Sequence, residues 1–492
     1  MAGYWRRVLR TMSSTSSSTA SITLVFVLVF LIVLMCMADS QSIVETLPGF
    51  PGKLPFKLET GYVGVGEADE VQLFYYFVES ERNPKKDPLL LWLTGGPGCS
   101  SFTGFVYENI GPLNFNYEDF DGNLPTLLLN PYSWTQVASI IFLDAPVGSG
   151  FSYARTSQGY NITDKISAAQ TYQFLRKWLI NHPQFQSNAL YVGGDSYSGI
   201  VVPIIVEEIY NGNLVGKEPY LKLNGYLLGN PVTDRRGDVN AEIEYAYRVS
   251  LISDELYASL KESCQGEYVV VDPANVQCVK DLAAFEDCIA NIDVAYILEP
   301  NCALISPKSN GIEWPHQAIM EENQRNVLQL LSWSKPPPAL WCRSYTYALS
   351  YIWANDENVQ NALHIRKGTI KNWVRCNKTM SAYTYNVIST VDYHRNFTEQ
   401  TGYRSLIYNG DQDLSVSYIG TLQWIRTLNM TLESGWEPWF VEGQVAGYTM
   451  SFTKNNYHMT YATVKGGGHT APEYKPKESF AMAYRWFAHY YL

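Results

Sequence analysis

The sequence predicts an α/β fold: a mostly parallel central sheet with helices between its strands and a helical cap inserted into it. Three observations predict it. Short apolar runs recur at Val71–Val78, Pro88–Leu93, Ser139–Leu143, Ala189–Val192, Leu221–Leu228, Arg404–Tyr408 and Tyr461–Val464. Several end in Gly-rich turns, as strands buried on both faces of a parallel sheet do. Helical patterns lie between the runs. Ala168, Tyr172, Leu175 and Leu179 recur at spacings of four, three and four, and Pro183 stops the pattern. Finally, the strand rhythm breaks between about Asp234 and Trp341, a stretch with several cysteines and the Pro336–Pro338 run. That stretch reads as a cap inserted into a sheet domain spanning residues 41–492. Its Ala303–Pro338 portion reads as an exposed loop open to proteolytic nicking, so a monomer or a two-chain form is expected.

Composition narrows the function. Hydrophobic residues make up 46% of the 492 and aromatics 14%, while charged residues are sparse at 17%. Disorder over most of the length is excluded by that balance. A formal net charge of −11 with no basic stripe argues against a nucleic-acid partner. It suits an acidic compartment, where part of the charge is protonated.

The N-terminus carries Arg6, Arg7 and Arg10, a Ser/Thr run, an apolar stretch from Ile22 to about Ala38, and a polar exit near Ser40. This order reads as a signal peptide over residues 1–40. A membrane anchor is the alternative and normally needs about 20 apolar residues. With cleavage no stable membrane span is expected, and the protein enters the secretory pathway for the vacuole or the exterior. N-x-S/T sequons at Asn161, Asn377, Asn396 and Asn429 accord with that route. Of eight cysteines, Cys36 would leave with the leader, and the odd remainder leaves at least one thiol free or paired outside the chain. No Cys/His cluster suggests zinc, and no metal or organic cofactor is implied.

The chemistry gathers in four segments. Tyr191-Val192-Gly193-Gly194-Asp195-Ser196-Tyr197-Ser198-Gly199 runs from an apolar strand into an apolar helix, Ile200 to Ile209. A nucleophile elbow needs small residues two before and two after the nucleophile, and Gly194 and Ser198 meet that demand around Ser196. An ordinary Gly/Ser turn would share this one feature. Tyr408-Asn409-Gly410-Asp411-Gln412-Asp413 and Lys465-Gly466-Gly467-Gly468-His469 each follow a strand, giving the order Ser…Asp…His of α/β-hydrolases. A serine hydroxyl becomes a nucleophile when a base takes its proton, and the base needs a carboxylate to fix its tautomer. Asp413 is assigned to that role and Asp411 to the turn. Trp92-Leu93-Thr94-Gly95-Gly96-Pro97-Gly98-Cys99-Ser100-Ser101 closes an early strand, where glycines let backbone approach a substrate. The N–H groups of Gly96 and Tyr197 are expected to form the oxyanion hole.

With these segments in hand, the chain resembles the serine carboxypeptidase-like family (peptidase S10). The likeness also runs through Gly49-Phe50-Pro51-Gly52, Glu59-Thr60-Gly61-Tyr62-Val63, Asp144 to Tyr153, Gly229-Asn230-Pro231, Ile252 to Leu256 and the stretch after His469. It implies an α/β-hydrolase fold with Ser196, Asp413 and His469 as the triad. It implies disulfides Cys99–Cys342 and Cys264–Cys278, and leaves the pairing of Cys288, Cys302 and Cys376 open.

The resemblance also bears on substrate. Carboxypeptidases of this family resemble one another in carrying Asn and Glu where this chain has Thr94 and Asp195; those groups, with a Glu matching Glu108, help hold the peptide's terminal carboxylate. The substitutions here resemble the plant acyltransferase branch. Thr94, Gly95, Glu108 and Asp195 are accordingly the expected substrate-binding positions. The implied partners are a small-molecule acyl-glucose donor and a hydroxyl or amine acceptor. The alternatives are a carboxypeptidase acting on a peptide C-terminus at acidic pH and a non-catalytic partner of an active relative, against which the intact triad argues.

Overall fold

The computed structural model describes residues 41–301, 343–378, 380 and 382–492. The leader and the Ala303–Pro338 portion lie outside them. Among the described residues no helix is long and apolar enough to cross a membrane.

The main sheet is built from β1 (Gln41–Val44), β2 (Leu58–Val65), β3 (Val71–Val78), β4 (Leu89–Leu93), β5 (Ser139–Leu143), β6 (Leu190–Asp195), β7 (Leu223–Gly229), β8 (Arg404–Gly410), β9 (Thr431–Val441), β10 (Gln444–Lys454) and β11 (Tyr457–Val464). Their order across the sheet is β1-β2-β3-β5-β4-β6-β7-β8-β11-β10-β9. From β5 to β11 neighbouring strands run parallel, and both flanks are antiparallel. Every strand expected from an apolar run is present. Val71–Val78 and Ser139–Leu143 keep the expected bounds, and the run at Ala189 extends as β6 to Asp195, the residue before the elbow serine.

Alternate residues of one strand feed two cores. Val71, Leu73, Tyr75 and Phe77 face one side of the sheet, while Phe74, Tyr76 and Val78 face the other. That period of two, with both faces apolar, is why β3 reads as a continuous hydrophobic run. Helix α1 (Asp164–Asn181) covers the first face, its start set by the Thr163 side chain accepting from the Ile166 N–H. Helix α2 (Ser198–Leu214) lies beside it, buried along most of its length, as expected for an apolar helix after the elbow.

Between β7 and β8 the chain leaves the sheet to form α3 (Arg235–Arg248), α4 (Asp254–Cys264), α5 (Val276–Ile289) and a small hairpin at 292–300. Ala241, Tyr245, Leu260 and Phe285 give these helices a small core of their own.

The β9–β10 hairpin was not legible as strands. β9 is the sheet's edge strand and β10 lies next to it, and both carry mostly exposed or half-exposed residues, so neither shows a buried run. The local signal was the turn instead. Glu442 and Gly443 both have positive φ, 48° and 76°, in a two-residue hairpin turn joining the Val441–Gln444 pair.

Candidate active site

Strand order reverses direction at β4. The chain moves from β4 outward to β5 on one side and then to β6 on the other, so the carboxyl ends of β4 and β6 open a crevice, the usual ligand position of such sheets. Thr94 and Gly95 leave β4 there, and Ser196 leaves β6. Ser196 has φ 55°, a left-handed conformation that lifts its side chain out of the strand-to-helix turn. The turn admits nothing larger than its present residues. A Cβ on Gly194 would sit 2.4 Å from the Leu93 carbonyl oxygen and 2.6 Å from Ser198 Cβ, and one on Gly95 would sit 2.6 Å from Ser196 Cβ.

The structure brings Ser196, His469 and Asp413 together. Ser196 Oγ lies 2.7 Å from His469 Nε2, and His469 Nδ1 lies 2.7 Å from Asp413 Oδ2. Asp413 is fully buried, which leaves its charge little screened by water. Burial pulls the His469 imidazole down, but Asp413, with Asp195 and Asp293 beyond it, outweighs that and holds the imidazole above its ordinary value. Asp411 serves the turn as expected. Its Oδ1 accepts the Gly466 N–H at 2.7 Å, tying the Asp413 loop to the His469 loop. The 292–300 hairpin ties the same loops from outside. The Val294 carbonyl accepts from the Leu414 and Ser415 N–H groups, and the Ala295 carbonyl accepts from the His469 N–H.

Gly96 and Tyr197 flank the elbow from two elements, the β4 loop and the start of α2. Among the described residues neither N–H donates to a protein acceptor. Both stay available to a ligand oxygen, and the uncapped start of α2 adds the positive end of its dipole. The β4 loop is braced by buried Asp144, which accepts from Ser100 Oγ, the Ser101 N–H and the Phe151 N–H.

Thr94, Glu108 and Asp195 form one buried polar group behind the elbow. Thr94 Oγ1 donates to Glu108 Oε1 at 3.3 Å, Trp92 Nε1 to Glu108 Oε2 at 3.1 Å, and the Gly95 N–H to Asp195 Oδ1 at 3.1 Å. Burial, reinforced by the Asp195 carboxylate, pushes Glu108 well above the ordinary range. Burial raises Asp195 to about 6 against the opposing pull of His469. At acidic pH the pair therefore retains protons. Glu473, four residues beyond His469 and not singled out in the sequence, joins this wall by accepting from the Tyr347 hydroxyl and from Thr470 Oγ1.

One disulfide expectation is corrected. Cys99 is bonded to Cys376, not to Cys342, which lies outside the described residues. Residues 98–100 and 375–377 run antiparallel, with the Ser100 N–H on the Arg375 carbonyl and the Asn377 N–H on the Gly98 carbonyl, so the two cysteines face each other directly. Cys264–Cys278 forms as expected, closing the loop between α4 and α5. Cys288 is a free, exposed thiol, and Cys302 lies outside the described residues.

Sequence reasoning missed two supports. Asn230, quoted only as part of a Gly-Asn-Pro stretch, donates from Nδ2 to Asp413 Oδ2 at 2.8 Å. Its position just after β7, at the sheet's carboxyl edge, is the signal that could have marked it. Asp164, which begins α1, accepts from the Tyr197 hydroxyl. No sequence pattern connects those two.

A parallel sheet with serine, aspartate and histidine at its carboxyl edge, in that chain order, defines the α/β-hydrolase fold. Residues 48–489 match the model of the serine carboxypeptidase family, peptidase S10. The chain belongs to that family. It is 49% identical over 450 residues to serine carboxypeptidase-like 7 of Arabidopsis thaliana, covering 92% of this chain and 94% of that protein. Serine carboxypeptidase-like 17 of the same plant is 47% identical over 455 residues, with 92% and 95% covered. Among solved structures, the Kex1(delta)p prohormone-processing carboxypeptidase of Saccharomyces cerevisiae shares the fold at TM-score 0.70 and 20% identity, covering 92% of this chain and 96% of that one.

Proposed function

We propose that this protein is an acyltransferase that moves an acyl group from a 1-O-acyl-β-glucose ester to a small hydroxyl- or amine-bearing acceptor. Ser196 Oγ attacks the ester carbonyl as His469 Nε2 takes its proton, and the Gly96 and Tyr197 N–H groups face the oxyanion. Collapse breaks the bond to the sugar's anomeric oxygen, which leaves with the proton from His469. The acceptor's O–H or N–H then gives its proton to His469 as its heteroatom attacks the acyl-Ser196 carbonyl. The second collapse frees Ser196, which recovers the proton.

The observation that carries transfer over peptide hydrolysis is the internal pairing behind the elbow. The Thr94 hydroxyl is spent on Glu108, and Asp195 Oδ1 is spent on the Gly95 N–H. A threonine there has no amide to offer a peptide carboxylate. A carboxypeptidase reading is favoured by one feature: protonated Glu108 and Asp195 are able to donate to a carboxylate at acidic pH. The two disulfides among the described residues suit the oxidising secretory route.

The test is a paired assay run at pH about 5 and repeated at pH about 7.5, because protonation suits carboxylate binding by Glu108 and Asp195 but removes the His469 base. One arm offers hydroxycinnamoyl- or galloyl-glucose with a pool of acceptors, and the other offers blocked dipeptides. Glucose release coupled to a new ester or amide supports transfer, while amino-acid release alone makes the protein a carboxypeptidase. Ser196→Ala is expected to lower kcat by on the order of 10⁴–10⁶ in whichever arm is active. Thr94→Asn with Asp195→Glu is expected to raise dipeptide cleavage relative to transfer, and no change would remove the argument from this pair.

A further inference from the structure

Asp164 lies outside the triad and the acidic pair, yet its buried carboxylate is fully engaged. Oδ1 accepts from the Tyr197 hydroxyl at 2.6 Å and the Tyr383 hydroxyl at 2.7 Å. Oδ2 accepts from the Asn386 N–H at 2.7 Å and the Val387 N–H at 2.9 Å. Four donors fill the acceptor sites that the two carboxyl oxygens offer, two on each.

Tyr197 has two ends with different work. Its backbone N–H, next to Ser196 in the chain, donates to no protein acceptor among the described residues, and its phenol reaches Asp164 through a ring that is only 4% exposed. A buried ring tethered at its tip fixes the Cα it hangs from, and with it the direction of the Ser196–Tyr197 peptide. That direction needs fixing. Ser196 holds φ 55°, a left-handed conformation that persists in a non-glycine residue only where its surroundings enforce it. The rest of the Asp164 cluster is anchored independently, because residues 383–384 pair in parallel with 162–163 beside it.

We propose that Asp164 is a positioning residue for the oxyanion hole, holding the Tyr197 N–H on line through the Tyr197 phenol. This rests on the reading of Ser196 as nucleophile. Tyr383 supplies the control. Its hydroxyl bonds the same carboxylate oxygen at nearly the same distance, but its backbone is not a neighbour of Ser196.

The experiment measures steady-state hydrolysis of a p-nitrophenyl ester, with thermal midpoints, for the full-length protein and its variants. Tyr197→Phe and Asp164→Asn are each expected to lower kcat about tenfold with KM nearly unchanged, a part of the 10²–10³ lost with a whole oxyanion donor. The double variant is expected to fall no further than Asp164→Asn alone, because both cut one linkage. Tyr383→Phe is expected to lose a similar amount of thermal stability and to keep its kcat. Wild-type kcat in Tyr197→Phe, or an equal kcat loss in Tyr383→Phe, overturns the inference while Ser196→Ala remains silent. If Ser196→Ala turns over like the wild type, the nucleophile reading falls and this inference with it.

Discussion

Asn230 donates its side-chain amide to Asp413 Oδ2 at 2.8 Å, the same oxygen that faces His469 Nδ1 at 2.7 Å. Asn230 also accepts the Gly410 N–H on Oδ1 at 2.9 Å, and its own N–H donates to the Tyr408 carbonyl. It thus clamps both ends of the turn that presents Asp413, from a φ of 39° that asparagine tolerates better than most residues. Asn230→Ala leaves a buried N–H without its acceptor and a carboxylate without one donor, at a cost of about 1–3 kcal/mol. The expected outcome is a lower melting midpoint and a kcat reduced by about tenfold with KM little changed. Wild-type kcat at lowered stability would reduce the clamp to a folding role.

The pH profile should follow the carboxylates around His469. Because the imidazole is held above its ordinary value by Asp413, Asp195 and Asp293 together, ester turnover should fall as pH drops through a value above about 6.5. Removing one of these charges makes the imidazolium less favourable and lowers that value. Asp293→Asn, outside the triad, is therefore expected to move the acid limb of kcat/KM to lower pH. A limb that stays in place, or moves upward, contradicts the assigned electrostatics.

Stability should be greater in mild acid than at neutral pH. Burial raises Asp144 and Asp238 to about 7 each. Both keep a proton in the fold where the unfolded chain has released it, so their stabilising contribution is complete below about 4 and lost as pH rises through 7. Buried His394, lowered to about 3, acts the other way: it stays neutral in the fold while the unfolded chain gains a proton below about 6.5. Two carboxyls outweigh one imidazole over this range. Calorimetry at pH about 5.5 and about 7.5 is expected to give the higher midpoint in acid, and Asp238→Asn should narrow the difference.

Glycan occupancy should be uneven. Asn161, Asn396 and Asn429 are exposed, whereas Asn377 is half-buried and donates its amide nitrogen to the Gly148 carbonyl at 2.9 Å. That nitrogen is the atom a glycan would need. Peptide mapping of secreted protein is expected to find sugar at the three exposed sites and little at Asn377; full occupancy there would mean that the loop is glycosylated before it docks.

The strands that carry the site were legible because parallel strands buried on both faces must be continuously apolar, as Ser139–Leu143 is. The elbow was legible because the turn around Ser196 excludes side chains at Gly194 and limits position 198 to a small one. The edge hairpin Thr431–Lys454 was not, since strands exposed at an edge need no apolar pattern. Asp411 and Asp413 were separated by their place in the turn, and the geometry keeps that division: one oxygen pair serves Gly466 and the other His469.

What the sequence by itself determined were features set over a few residues: helix and strand periodicity, the tight turn at Ser196, and the order of serine, aspartate and histidine along the chain. Tertiary structure alone decided the pairing of Cys99 with Cys376 over a separation of 277 residues, the clamp of Asn230 on Asp413, and the reach of Asp164 to Tyr197. The difference is physical. Local patterns are imposed by backbone geometry and burial, which act between near neighbours. Partnerships across the sheet depend on which distant loops the strand order brings to one edge, and no run of residues records that order.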